Sequence, residues 1–256
     1  MTVPDSPAAG PRVAVVTGAA GGIGAAVCQR LAADGFTVAC LDVREADVAG
    51  LAAGLPTSGG GPASIGLAVD VRDAASVRAA GARIRAEIGS PWLLVNVAGV
   101  FSIQRITELD EAEWDRIIDT NLKGPFLTCR EFLPDMIAAH DGCIVNVAST
   151  AGVRGGRRRA AYCASKGGLV QLTRSLAIDH GPDGVRVNCV CPGLIDTPMA
   201  DWIRLDEEAL THWEGTVPAR RIGTGADIAD AISFLAAPGG SYVHGAVLMV
   251  DGGVTA

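Results

Sequence analysis

Two rhythms of apolar positions run through this chain. Short unbroken apolar runs recur at Arg12–Thr17, Thr37–Asp42, Ala63–Val69, Trp92–Asn96, Cys143–Ala148, Val185–Cys191 and Val247–Asp251. They are too continuous for strands with one wet face, so they predict strands buried on both sides. Between them the apolar residues fall three and four apart, the spacing of one helix face. Helices are expected over the Ala-rich stretch ending at Asp34, from near Arg44, over Asp73–Ile88 with Asp73 as its cap, over Asp110–Ile137, over Ala160–His180 and over Gly225–Ala236. In Asp110–Ile137 the stripe is Trp114, Ile117, Ile118, Leu122, Phe126 and Leu127, and Pro125 is expected to interrupt it. Gly50–Pro62 reads as a loop whose flexible part is Ser58–Gly61, and Pro192–Thr216 as irregular to helical. Seven apolar strands separated mainly by helices imply an α/β fold, a doubly wound parallel sheet with helices on both faces. No stretch has the length of an interdomain linker. Residues 12–256 are therefore expected to form one domain, and residues 1–11 a frayed tail.

In such a sheet ligands lie at the carboxyl ends of the strands. Here those ends carry Gly18–Gly24, Asp42, Asp70, Asn96, Ser149 and Pro192-Gly193. The first is a glycine turn between a strand and a helix start, where main-chain N–H groups and the helix dipole favour a pyrophosphate. Asp42 ends the next strand, 18 residues after Gly24, where a carboxylate can accept both hydroxyls of an adenosine ribose; the plain alternative is a cap for the helix near Arg44. Tyr162 and Lys166 are four residues apart and so share one helix face. A nearby ammonium favours phenolate and lowers a phenol from its free value of about 10. Such a pair can transfer protons near neutral pH; the alternative is an ordinary surface Tyr and Lys.

Composition narrows the class. The chain has 256 residues, 49% hydrophobic and 19% charged, which suits one globular domain with a sizeable core. A net charge of −7 disfavours a nucleic-acid or anionic-membrane partner. No run approaches the roughly 18 apolar residues of a membrane span, and the first residues resemble no targeting peptide, so a cytoplasmic protein is expected. The seven cysteines, Cys28, Cys40, Cys129, Cys143, Cys163, Cys189 and Cys191, are odd in number and mostly lie in apolar segments, as buried free thiols do. Cys189-x-Cys191 lacks neighbouring Cys or His partners, so no metal is expected.

From Arg12 to Gly253 the chain resembles the short-chain dehydrogenase/reductase family in its single-domain, Rossmann-type form. Thr17-Gly18-x-x-x-Gly22-x-Gly24 is similar to its cofactor turn, Asp70 to its adenine-contacting acid, and Asn96-Val97-Ala98-Gly99 to its Asn-Asn-Ala-Gly motif, with Val97 as a departure. Asn121, Ser149, Tyr162 and Lys166 match its catalytic residues, and Pro192-Gly193-Leu-Ile195-Asp-Thr197 the segment that closes on the nicotinamide. The resemblance implies cofactor contacts from Gly18, Gly22, Ile23, Gly24, Asp42, Asp70, Val71, Asn96, Ala98, Gly99, Tyr162, Lys166, Pro192, Gly193, Ile195 and Thr197. It also implies general acid–base catalysis paired with hydride transfer. Tyr162 exchanges the substrate hydroxyl proton, Lys166 supplies the charge that favours phenolate, Ser149 holds the substrate oxygen, and Asn121 anchors a water leading protons to solvent. The alternatives are a bend-satisfying Asn121 and a Ser149 that caps a turn. Asp42 implies NAD rather than NADP.

Arg154, Arg157, Arg158 and Arg159 lie between Ser149 and Tyr162. Clustered guanidiniums there imply an anionic substrate end, unless they form a solvated loop or subunit contacts. Thr197–Asp206 and Tyr242–Gly245 are similar to hydroxypropyl-coenzyme-M dehydrogenases, which oxidise a secondary alcohol whose sulfonate is held by two arginines. Arg159 matches one of these, Arg204 the other if one residue is inserted, and Trp202 would wall the pocket. The expected partners are a small alcohol or ketone and further copies of the chain in a homotetramer. Two other readings stand beside this one: an NADPH-dependent 3-oxoacyl thioester reductase, and a catalytically silent cofactor-binding protein.

Overall fold

The computed structural model describes residues 11–57 and 60–256. The expected tail up to Gly10, and Ser58 and Gly59 of the flexible loop, lie outside the described residues. Strand β1 (Val13–Thr17) is buried at all five positions and pairs in parallel with β2 (Thr37–Asp42) on one side and β4 (Pro91–Asn96) on the other. β3 (Ile65–Ala68) lies outside β2, and β5 (Gly142–Val147), β6 (Val185–Pro192) and β7 (Val247–Val250) follow beyond β4, giving the order β3-β2-β1-β4-β5-β6-β7. Every pairing is parallel. Strand order reverses between β1 and β4, which opens a crevice at their carboxyl ends.

Both faces are covered, which is why the strand runs are apolar at successive positions. On one face α1 (Gly22–Ala33), α2 (Glu45–Gly54) and α9 (Gly225–Ala236) bury Val27, Leu31, Val48, Ile228 and Ile232 against Val16, Val38 and Val145. On the other, α3 (Ala74–Glu87), α5 (Gly124–Ala139) and α6 (Ala160–His180) bury Val77, Ile84, Phe132, Met136 and Ala177 against Val15, Leu94 and Ile144.

Three boundaries differ from the sequence pattern. The loop expected from Gly50 begins later, because α2 runs on to Gly54 with Ala52 packed in the core. The break in the long helix falls before Pro125: α4 (Glu111–Ile118) passes into a π turn at Asp119–Lys123, and α5 starts at Gly124. Pro125 stands in the first turn of α5, where a missing N–H costs nothing. The stretch after β6 resolves into α7 (Asp201–Arg204) and α8 (Glu207–Thr216), and no side chain of α8 is buried.

Candidate active site

The glycine turn is shaped by contacts no side chain could share. Gly18 has a φ of 66°, and a Cβ there would lie 2.7 Å from the main chain of Ala98. A Cβ on Gly24 would lie 2.1 Å from the Gly18 carbonyl oxygen, and one on Gly22 2.7 Å from Cγ2 of Thr197. Thr17 Oγ1 accepts from Val97 N (3.1 Å) and Ala98 N (3.2 Å), tying the turn to the end of β4. No side chain caps the N-terminus of α1. Main chain stripped of side chains at a helix N-terminus fits the pyrophosphate of a dinucleotide.

Asp42 reaches the same turn. Its Oδ2 accepts from Ala20 N at 3.2 Å and its Oδ1 from Arg44 N at 3.2 Å. It does not cap α2, whose N-cap position is Arg44. Asp70 is gripped by Arg72 through contacts of 2.8 to 3.1 Å, and this pairing holds its carboxyl below the ordinary value. Val71 is buried beside Gly124. Ile23, Gly99, Pro192, Gly193, Ile195 and Thr197 line one cavity of about 360 Å³, together with Ser149, Tyr162 and Lys166.

The Asn96 side chain is engaged within the fold. Its Oδ1 accepts from Thr128 (2.7 Å), and its Nδ2 donates to Asn146 (2.9 Å), which in turn donates to Thr173 (2.9 Å). The side chain is thus spent on a ladder linking α5, β4, β5 and α6, and only its main chain remains for the crevice.

The catalytic candidates converge. Asn121, in the π turn, accepts from Val100 N (2.8 Å) and donates to Val100 O (2.9 Å) and Ser165 Oγ (3.1 Å). Its side chain therefore ties the bend to the segment after β4 and to α6, and bonds no carbonyl of the bend itself. Its Oδ1 and Lys166 Nζ both lie 3.4 Å from where a Cβ of Gly99 would be. Lys166 Nζ donates to Val147 O at 2.8 Å, and burial pulls this ammonium down to about 8. Ser149 lines the cavity beside Tyr162, and its Oγ accepts from Ala151 N at 3.1 Å, capping the short turn after β5. Burial is the largest influence on Tyr162 and raises the phenol, opposite in sign to the lowering expected from Lys166. Lys166 is directed at Val147 O and lies 5.9 Å from the phenol ring centre. The groups acting against burial are Ser149 and Arg159.

The outer wall sorts the arginines. Arg154, Arg157 and Arg159 line the cavity, whereas Arg158 turns outward to Glu108 at 3.3 Å. A left-handed φ of 59° at Arg158 separates it from Arg159. The guanidinium of Arg159 lies 5.3 Å from the ring centre of Phe101 and 5.2 Å from that of Trp202. Arg204 is not brought to the cavity: Asp201 binds it at 2.6 Å and Asp196 at 3.4 Å. These local carboxylates neutralise it, so the second arginine anchor is not assembled. Phe101 and Trp213 also line the wall. Sequence reasoning missed both, and no motif or spacing marks either.

A glycine-walled crevice beside a Tyr–Ser–Lys cluster defines a nicotinamide-dependent oxidoreductase. The comparisons with known proteins agree. A family model described as enoyl-(acyl carrier protein) reductase matches residues 18–255. The chain is 39% identical to 2-(R)-hydroxypropyl-CoM dehydrogenase of Xanthobacter autotrophicus, over 96% of this chain and 99% of that one. It is 41% identical to cis-4-hydroxycyclohexanecarboxylate dehydrogenase of Sinomonas cyclohexanicum, over 96% and 97%. The crystal structure of a 3-ketoacyl-(acyl-carrier-protein) reductase from Brucella melitensis complexed with NADH superposes with a TM-score of 0.87 at 29% identity, covering 96% of this chain and 99% of that one. The chain belongs to the short-chain dehydrogenase/reductase family and is an enzyme of the alcohol dehydrogenase/ketoreductase class. No described helix is long and apolar enough to cross a membrane.

Proposed function

We propose that this enzyme uses NAD(H) to interconvert a secondary alcohol and its ketone, on a substrate with an anionic group at the end remote from the reacting carbon. The observation that carries this reading is the charge of the cavity. Its lining includes Arg154, Arg157, Arg159 and Lys166 and no Asp or Glu, in a protein of net charge −7. Arg159, packed against two aromatic rings and without a carboxylate partner among the described residues, is poised for a carboxylate or sulfonate oxygen. Two relatives act, by their names, on alcohols whose other end is a coenzyme-M group or a carboxylate.

Gly18, Gly22 and Gly24 would hold the pyrophosphate, Asp42 the adenosine ribose, and Pro192–Thr197 the nicotinamide end. The bound nicotinamide supplies the hydride acceptor or donor. Tyr162 takes the hydroxyl proton during oxidation and returns it during reduction, and Ser149 fixes the substrate oxygen beside it. Lys166 and the Asn121 turn, which meet at Gly99, form the inner end of the proton path. Arg44 Nε lies 3.4 Å from Asp42 and is the one feature that favours a 2′-phosphate, as the NADPH-dependent 3-oxoacyl thioester reductase requires. A cytoplasmic homotetramer fits the exposed apolar side chains Phe126 on α5, Ile178 on α6 and Tyr242 before β7, and light scattering would detect a monomer if that reading is wrong.

The test is a panel of hydroxyalkyl sulfonates, hydroxycarboxylates, uncharged secondary alcohols and 3-oxoacyl thioesters, each with both cofactors. An NAD preference that Asp42→Ala cuts about tenfold, as loss of one charge-assisted hydrogen bond would, supports the reading. Highest efficiency with NADPH and a thioester sinks it.

A further inference from the structure

We infer that Arg159 is a second cation of the proton-transfer site: packed against Phe101 and Trp202, it favours the ionised form of Tyr162, and an anionic substrate that pairs with it weakens that support. This rests on the reading of Tyr162 as the proton-transfer group. The geometry begins with the helix. Arg159 stands at the N-cap of α6 and its carbonyl accepts from Cys163 N at 2.8 Å. Three residues on, Tyr162 stands in the first turn of α6. Phe101 joins them, with its ring centre 4.9 Å from that of Tyr162 in an edge-to-face contact and 5.3 Å from the Arg159 guanidinium. The Trp202 ring centre lies 5.2 Å from the same guanidinium. Phe101 and Trp202 are themselves 6.3 Å apart. Two neighbouring rings flank the cation on one side and strip part of its water, which strengthens its field on a nearby phenol.

The other charges around Tyr162 leave this one conspicuous. On α6 these are Lys166, turned to Val147 O, and the thiol of Cys163. β6 brings only the thiols of Cys189 and Cys191, and the end of β5 only the Ser149 hydroxyl. In α4 and the π turn, Glu113 pairs with Arg116 and Asp119 with Lys123. In α5, Glu131 and Asp135 close on Arg85. Before α4, Glu108 holds Arg158 and Arg105. Asp251, at the end of β7, is bound by Thr255. Among the described residues Arg159 makes no ion pair, and neither do Arg154 and Arg157 of the same cavity, but of the three only Arg159 packs on the ring that meets Tyr162. Burial raises the Tyr162 phenol, and the Arg159 guanidinium opposes it.

The chain has only two tyrosines, Tyr162 and the fully exposed Tyr242. Ultraviolet phenolate titration of the NAD⁺-saturated enzyme, minus that of Tyr162→Phe, therefore reads Tyr162 alone without turnover. Arg159→Gln is expected to move this titration up by about one pH unit. Arg159→Lys, which keeps the charge, should move it by less than half as much, and Trp202→Leu, on the surface, by an intermediate amount. With an uncharged secondary alcohol, the pH profile of kcat/KM should shift by the same amounts and recover at high pH. With an anionic alcohol the wild-type profile should already lie at higher pH than with the uncharged one. Superimposable titrations of wild type and Arg159→Gln overturn the inference, as does a kcat/KM loss that is equal at every pH, the mark of a merely structural residue. If Tyr162→Phe keeps its turnover, the proton-transfer reading fails instead, and the titration still reports whether Arg159 acts on the phenol.

Discussion

The glycine turn and the cavity beside it form two walls of the site built on opposite rules. The cofactor wall is main chain: Gly18, Gly22 and Gly24 lie where an added methyl would collide with Ala98, Thr197 or the turn itself. The substrate wall is side chain: Arg154, Arg157 and Arg159, Phe101, Trp202 and Trp213 reach in from a loop and from short helices, and α8 buries nothing. A wall of close-packed main chain has one shape and suits one invariant ligand. A wall of long side chains changes shape with each substitution at little cost to the fold. The first accounts for the shared cofactor class, and the second decides which alcohol is taken.

The strongest way to test this division acts on the seam between the walls. Tyr162→Phe should lower turnover about 10²- to 10⁴-fold while NADH fluorescence titration shows unchanged affinity and circular dichroism an unchanged fold. A loss of only a few-fold would remove the seam from the chemistry. Next, Gly24→Ala should cost about 1–3 kcal/mol by overpacking and weaken NADH binding, whereas Arg157→Ala should melt within about 0.5 kcal/mol of wild type. Equal melting temperatures for the two variants would erase the contrast between the walls.

The smallest effect concerns Lys166, buried at the same seam. Its folded value of about 8 lies below the ordinary 10.5. The charged form is therefore disfavoured by folding, and the cost is fully present below pH 8 and gone above 10.5. Relative to Lys166→Met, wild type should gain stability as pH rises through that window, by about 1–2 kcal/mol after allowance for the bond to Val147. Denaturant midpoints that run parallel for the two proteins from pH 7 to 10.5 would show that burial does not depress this lysine.

Much of this was legible in the chain. Continuous apolar runs announce strands buried on both faces because covering each face is a local demand on each strand. The pairing of Tyr162 with Lys166, and the turn from Gly18 to Gly24, are likewise local, set by helix pitch and by glycine itself. Other features depend on partners far along the chain. The helix breaks at Asp119–Lys123 rather than at Pro125, and there Asn121 binds Val100 and Ser165. Asn96 turns from the crevice because Thr128 and Asn146 claim its side chain. Of five candidate arginines, three face the cavity, Arg158 is turned away by one left-handed residue, and Arg204 is neutralised by Asp196 and Asp201. The acidity of Tyr162 belongs to the same class. Spacing identified its cation as Lys166, but ionisation answers to desolvation and to every charge within reach, and those are set only when Phe101, Trp202 and Arg159 close around it.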